Sequence, residues 1–330
     1  MEALRLAGRA LRVVGLSDLI QMLLALIRKE PASGAGMRAA IVLADGFRPL
    51  DLAGPFDVLS GMPGMRVDLV SSNPSAGSAV SDAEGRLQVR TTAALETIQE
   101  LDVLVLPGGW SGPDGERDPA PIVSLAARSR CVVSIDGHSA VPSPQLPATL
   151  HPADEAGLTF PEGPCTRERV RAAIQAASRG VVFRVGSGTP ATNLCLLLVE
   201  QLTGRRIAEI VQLALEYDPQ PLRVGERASE IESAAAQTVA GELPDLADRT
   251  RAGRPIRAEF FLYHGFTATD ITGPYEVLRR IPGLEAEFTG LTPGWKYNDA
   301  NHLAYRATRS CLDARDYPDI VVVPGGLSGT

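Results

Sequence analysis

From Arg38 onward, short runs of aliphatic residues alternate with longer stretches whose apolar residues recur at helical spacing. Continuous Val, Ile and Leu runs predict strands that are buried on both faces, whereas apolar residues three or four positions apart predict amphipathic helices. The predicted strands are 38–44, 101–109, 131–136 and 180–188, with 65–72 as a strand in which apolar and polar residues alternate, and the predicted helices are 55–62, 119–130 and 191–204. This alternation predicts a doubly wound α/β sandwich with a parallel sheet, whose ligands bind at the carboxyl ends of the strands.

Two motifs recur in the same order along the chain. The segment ADGFRPLDLAGPFDVL (44–59) returns as YHGFTATDITGPYEVL (263–278), which aligns Asp51 with Asp270. The segment VLVLPGGWSG (103–112) returns as IVVVPGGLSG (320–329) at a slightly shorter interval. Because order, spacing and residue type all recur, we expect a partial second copy of the fold. The predicted organisation is an N-terminal helical extension (1–37), an α/β domain (38–222), a helical connector (223–256) and the partial copy (257–330).

A half-sheet in the partial copy would expose an apolar face and an unpaired edge strand, both of which are unfavourable in water. Three explanations stay open at this point. The partial copy packs against the first domain, it pairs in a dimer, or the chain is incomplete.

Composition narrows the classes of function. The chain has 330 residues, of which 45% are hydrophobic and 22% charged, enough for one or two globular cores. Its formal net charge is −7, with Lys and Arg scattered, which argues against nucleic-acid binding and favours a small-molecule ligand or substrate. The longest apolar run near the N terminus, LIQMLLALI, is shorter than the roughly 20 residues that span a bilayer, so no membrane partner is expected.

The four cysteines lie far apart and show no paired spacing. This pattern indicates neither a zinc site nor a disulfide framework and is typical of a reducing compartment. We therefore expect a cytoplasmic protein with no metal and no cofactor.

The motifs resemble those of the ThiJ/PfpI superfamily, which has the flavodoxin-like fold of class I glutamine amidotransferases, and especially those of its isocyanide hydratase branch. The resemblance is carried by LDLAGPFDVL (50–59), PGGWSG (107–112) and LEYDPQP (215–221), and it covers about 38–222 and again 257–330. It implies a homodimer and a catalytic cysteine on a sharp turn between a strand and a helix.

The turn where that cysteine is expected departs from the family pattern. In the matching stretch, CVVSIDGHSA (131–140), Asp136 occupies the cysteine position, and a shift by one residue would place Gly137 there. Neither alignment supplies a thiol, and the four prolines of AVPSPQLPATLHP (140–152) oppose the helix that should follow. A local deletion or a reading-frame error in the gene would produce the same pattern.

The sequence therefore supports two hypotheses on the function of the protein. The first is a catalytically impaired family member that serves as a small-ligand-binding or dimerising module. The second is an active isocyanide hydratase-like lyase that acts on a small electrophilic substrate.

The candidate catalytic residues are Asp51, Asp136 and His151. The resemblance implies that Asp51 transfers a proton as a general acid or base, although an acid at this point is also expected to cap the following helix. Asp136 is considered as a nucleophile at the turn, and His151 as a group that orients the substrate or donates a proton. The candidate substrate-binding residues are Gly108, Gly109, His138, Gly186 and Gly188. Gly108 and Gly109 either present backbone N–H groups to a ligand or only form the turn after the strand. The resemblance implies that the loop with Gly186 and Gly188 borders the pocket.

Overall fold

The computed structural model describes residues 36–71, 77–108, 120–136, 167–176, 180–215, 217, 255–281, 283–313 and 318–326. The predicted N-terminal helix and most of the predicted connector lie outside the described residues. So do Gly109, His138, His151 and Cys165.

The described residues form fourteen strands and six α-helices. The strands are β1 (Met37–Leu43), β2 (Met65–Ser71), β3 (Ala79–Ser81), β4 (Gln88–Arg90), β5 (Ala93–Ala94), β6 (Leu101–Leu106), β7 (Ser129–Asp136), β8 (Val181–Gly186), β9 (Ile256–Phe261), β10 (Leu284–Gly290), β11 (Gly294–Tyr297), β12 (Ala304–Ala307), β13 (Arg309–Ser310) and β14 (Ile320–Val322). The helices are α1 (Pro49–Ser60), α2 (Ala120–Ala127), α3 (Arg167–Ala176), α4 (Thr189–Thr203), α5 (Arg205–Ala214) and α6 (Ala268–Leu278).

The main sheet has six parallel strands in the order β5-β2-β1-β6-β7-β8. The chain moves from β1 to one side to form β2 and returns to the other side of β1 to form β6. In sheets of this kind the crevice at such a reversal is the usual place for a ligand. The predicted flavodoxin-like α/β fold is confirmed.

Strand β1, near the middle of this sheet, is apolar on both faces, as predicted. In β1, Ala39, Ile41 and Leu43 belong to one hydrophobic cluster, whereas Ala40 and Val42 belong to a second cluster on the opposite face. The first cluster includes residues of α1, α4 and α5, and the second includes the apolar side of α2. Helices on both faces exclude water from the sheet, which is why β1 is a continuous apolar run rather than an alternating one.

Helix α1 begins earlier than the sequence indicated. The prediction started it at Pro55, but the helix begins at Pro49 and continues through Pro55. Proline is favoured at the first position of a helix, because its missing N–H is not needed there, so Pro49 is the residue that marks the start. Asp51 therefore lies within the first turn, and Arg48 occupies the N-cap position without a side-chain capping bond.

A glycine allows α1 to approach α4 closely. A Cβ atom added to Gly54 would lie 2.2 Å from Oγ1 of Thr192, far inside a van der Waals contact. The close approach places the first turn of α1 beside the start of α4, where the candidate site is found.

Residues 255–326 add a parallel four-stranded sheet in the order β13-β10-β9-β14. A third sheet, in the order β11-β12-β4-β3, combines two strands from this part of the chain with two from the first. Helix α6 packs against α1.

Candidate functional site

The candidate site is organised around the carboxyl group of Asp51, which is fully buried. Its Oδ1 atom accepts hydrogen bonds from Oγ of Ser187 at 2.6 Å and from the backbone N–H of Gly188 at 2.8 Å. Its Oδ2 atom accepts a longer bond, 3.3 Å, from the backbone N–H of Gly108. One side chain thus joins the start of α1 to the segments that follow β6 and β8.

These three segments meet because of the strand order. Asp51 follows β1 and Gly108 follows β6, and these two neighbouring strands are the pair between which the chain reverses direction. Ser187 and Gly188 form the turn between β8 and α4. The bond between Asp51 and Gly108 therefore crosses the crevice where an α/β sheet of this order binds its ligands.

Gly188 can be replaced by few other residues. Its φ angle is +77°, a backbone conformation that residues with a Cβ atom rarely adopt. An added Cβ would also lie 3.2 Å from Cδ2 of Leu50. The glycine allows the turn to direct its N–H group at Asp51.

Burial raises the pKa of Asp51 above its ordinary value, because removal from water disfavours the charged carboxylate. Hydrogen bonds from Ser187 and Gly188, the positive charge of Arg48 and the N–H of Gly108 act in the opposite direction but do not outweigh burial. A carboxyl group with a raised pKa is suited to holding and transferring a proton, and such groups are concentrated at functional sites.

Asp136 and Gly186 lie opposite each other at the carboxyl ends of β7 and β8. Their backbones are therefore at the same edge of the sheet as the Asp51 site, and Gly186 directly precedes Ser187. This placement is the one expected for both residues. Their roles as nucleophile and as substrate-binding residue stay predictions.

The buried cysteines of the first part of the chain lie away from this site. Cys131 is inside β7, paired with Val103 and Val181, and burial raises its pKa to about 11. It precedes the end of the strand by five residues, or about 16 Å. Cys195 is buried within α4, where desolvation raises its pKa to about 12. Both cysteines are core residues, and both remain protonated thiols at neutral pH.

Ser187 is the site residue that sequence reasoning missed. It lies between two predicted site residues, Gly186 and Gly188, in the stretch VGSGTPATN. The signal was a hydroxyl side chain in a glycine turn at the end of a buried strand, where the backbone leaves room for a polar contact. The predicted site residues that the structure brings together are Asp51, Gly108 and Gly188.

Asp270, the residue aligned with Asp51, has a different environment. Its Oδ2 atom accepts a bond from the N–H of Gly325 at 2.8 Å, and Gly325 is aligned with Gly108. Asp270 is exposed, however, whereas Asp51 is buried.

Within the described ranges, no group of three or more His, Cys, Asp and Glu side chains is arranged to hold a metal ion. The helices found there are also too short or too polar to cross a membrane.

Comparisons with known proteins show the family to which the chain belongs. A family model described as the DJ-1/PfpI family matches residues 37–130. An isonitrile hydratase from Pseudomonas putida is 32% identical over 193 residues, which are 56% of this chain and 80% of that protein. The chain belongs to the DJ-1/PfpI family, and the relationship expected from its motifs is confirmed.

Solved structures of related proteins are more distant. A ThiJ/PfpI family protein from Pseudomonas syringae is 22% identical, with 64% of this chain and 93% of that chain covered and a TM-score of 0.42. DJ-1beta from Drosophila melanogaster is 19% identical, with 56% and 100% covered and a TM-score of 0.39.

Proposed function

We propose that this chain is a divergent DJ-1/PfpI protein that binds a small molecule beside Asp51 and does not use thiolate chemistry. The observation that carries the proposal is the contrast between two kinds of side chain. The carboxyl group of Asp51 is tied to both segments that border the crevice. Cys131 and Cys195 are buried in the core as neutral thiols.

The donors around Asp51 indicate the chemistry of the ligand. The hydrogen bond from the N–H of Gly108 to Asp51 is the longest of the three. This N–H is therefore the donor that is most readily available to bind an acceptor atom of a ligand. A carboxyl group with a raised pKa stands beside it and either donates or accepts a proton. This pair suits a compact, uncharged polar molecule. The isonitrile hydratase relative makes small isocyanides and their formamides the first probes.

The test is a binding titration followed by NMR of the probe, using a small alkyl isocyanide and the matching formamide. The variants are Asp51→Asn and, as a matched control, Asp270→Asn, which changes the aligned but exposed residue. We expect wild type and Asp270→Asn to bind equally and Asp51→Asn to bind at least tenfold more weakly, because an amide cannot accept all three bonds. Equal binding by all three proteins would contradict the proposal.

A second function, hydration of an isocyanide, is favoured by the raised pKa of Asp51. Asp51 would move one proton of water to the isocyanide carbon while the water oxygen bonds to the same carbon, and the hydroxyl proton of the resulting imidic acid would then pass to nitrogen to give the N-substituted formamide. Formamide production that is sustained over many turnovers and lost on Asp51→Ala would establish this function. Binding of the isocyanide without turnover, in a protein with an intact fold, would support ligand binding and contradict hydration.

The homodimer and the cytoplasmic location stay predictions. A homodimer of this chain would need a surface other than the one formed by α1 and the β3–β4 hairpin, because α6 and β12 cover that surface.

A further inference from the structure

The contact between the first part of the chain and residues 255–326 is specific and buried. On its helical side, Oδ2 of Asp57 in α1 accepts a hydrogen bond from the N–H of Thr269 in α6 at 2.9 Å. The hydroxyl group of Tyr275 in α6 donates to Oδ2 of Asp82 at 2.6 Å, and the tyrosine is fully buried. A buried hydrogen bond to a charged acceptor is costly to break, so this contact is a stable part of the fold.

On the other side of the contact, two hairpins join into one sheet. Strands β4 and β12 run antiparallel, with Val89 opposite Tyr305. Next to this pair, the guanidinium of Arg306 donates to the amide oxygen of Gln88 at 3.0 Å. The contact is therefore continuous from the helices to the hairpins.

The two parts of the chain repeat each other in hydrogen bonds as well as in sequence. The N–H of Arg38, in β1, bonds to Oδ2 of Asp102 at 2.9 Å. The N–H of Arg257, in β9, bonds to Oδ2 of Asp319 at 3.0 Å. In each case the first residues of a central strand are fixed by an acid at the start of the next strand in the sheet.

A second repeated feature is the polar turn that connects the two strands of each hairpin. Oδ1 of Asp82 accepts bonds from the N–H groups four and five residues further on, at 2.7 and 3.0 Å. Oδ1 of Asn298 accepts bonds from the N–H groups at the same two positions, at 3.2 and 3.0 Å. The order β13-β10-β9-β14 also matches β5-β2-β1-β6 element by element.

The contact joins equivalent surfaces. Helix α1 meets α6, which carries the matching sequence motif, and β4 meets β12, which follows the matching turn. Val89 and Tyr305 each lie seven residues after their turn residue, so the residues that face each other are themselves equivalent. Contact between identical patches is the property of a two-fold symmetric dimer interface.

We propose that residues 255–326 occupy the place of a second subunit, so that this chain carries within itself a pseudo-two-fold interface between its two related parts. The second part repeats β1 to β6 of the first part and covers the face formed by α1 and the β3–β4 hairpin. That face is therefore closed to pairing with another copy of the chain.

The proposal is tested by a cross-link in the full-length protein. Gln88→Cys and Arg306→Cys together place two cysteines opposite each other on β4 and β12, where the native side chains are already in contact. The two single variants control for the native cysteines. We expect the double variant to form a disulfide within one chain, with the mobility of a 34.9 kDa monomer on a non-reducing gel.

A disulfide-linked dimer specific to the double variant would show that the two hairpins come from different chains and would overturn the proposal. So would the absence of any disulfide after mild oxidation. Tyr275→Phe gives an independent test, because the aligned residue of the first part is Phe56 and a phenylalanine fits the helical position. We expect it to lower the folding equilibrium constant of the whole chain roughly tenfold. An unchanged equilibrium constant would contradict a buried contact between the two parts.

Discussion

Gly54 and Gly273 provide a matched pair of substitutions that tests how α1 is positioned. Both glycines lie in the interior of a helix, at aligned positions of the repeated motif. A Cβ at Gly54 would lie 2.2 Å from Oγ1 of Thr192, whereas a Cβ at Gly273 would meet no atom within 4 Å. The same chemical change is therefore a clash in α1 and harmless in α6.

The expected energies follow from this difference. Replacing a mid-helix glycine with alanine stabilises a helix by about 1 kcal/mol when the new methyl group has room. Overpacking of a core costs roughly 1–3 kcal/mol, and the short distance at Gly54 favours the upper end of that range. We expect Gly54→Ala to lower the free energy of unfolding by about 2 kcal/mol and Gly273→Ala to raise it by up to about 1 kcal/mol.

The assay is equilibrium unfolding in urea, followed by circular dichroism, on the wild type and both variants. Ligand binding provides a second measurement, because a shift of α1 away from α4 also moves Asp51 away from Ser187 and Gly188. We expect Gly54→Ala to weaken binding of the small-molecule probe and Gly273→Ala to leave it unchanged. Equal stability and equal binding in the two variants would refute the close packing of α1 against α4 and its role in positioning the site.

Two further predictions concern titratable groups. The pKa of Asp51 is raised in the folded protein. The stability that this residue contributes is therefore fully present at a pH below its pKa in the unfolded chain, and it is lost as the pH rises through its pKa in the folded protein. From about pH 4 upward, the free energy of unfolding of wild type should therefore fall relative to that of Asp51→Asn, as measured by urea unfolding at several pH values; a constant difference would contradict the raised pKa. Cys131 and Cys195 should resist iodoacetamide in the folded protein while the partly exposed Cys311 reacts, as peptide mass spectrometry will show; rapid modification of Cys131 would contradict its burial.

The main strands could be predicted from the sequence because both of their faces are buried. Apolar runs located β1, β6, β7 and β8, and alternation of apolar and polar residues located β2, each to within a few residues. The β3–β4 hairpin has strands of only three residues, which are partly exposed and carry no comparable run. Helix α5 was missed because Gly204, with a φ angle of +94°, ends α4 directly before α5 begins. Local hydrophobic pattern thus indicates the buried sheet but not the short polar elements around it.

The candidate site was accessible to sequence reasoning only through its motifs. Separate motifs predict Asp51, Gly108 and Gly188, and the structure shows that the carboxyl group of Asp51 accepts hydrogen bonds from the other two residues. The bond between Asp51 and Gly188 joins residues 137 positions apart, and no local pattern encodes such a contact. The contribution of Ser187 and the raised pKa of Asp51 follow from burial, which only the folded arrangement reveals.

The most direct test of the proposed site is an amide NMR titration of the wild type with the small isocyanide and its formamide. A ligand beside Asp51 is expected to shift the backbone N–H signals of Gly108, Ser187 and Gly188 in a saturable way. The N–H signal of Gly325, which bonds to the exposed Asp270, should stay unchanged. Saturable shifts that leave Gly108 and Gly188 unaffected and fall elsewhere would contradict a ligand site at this crevice.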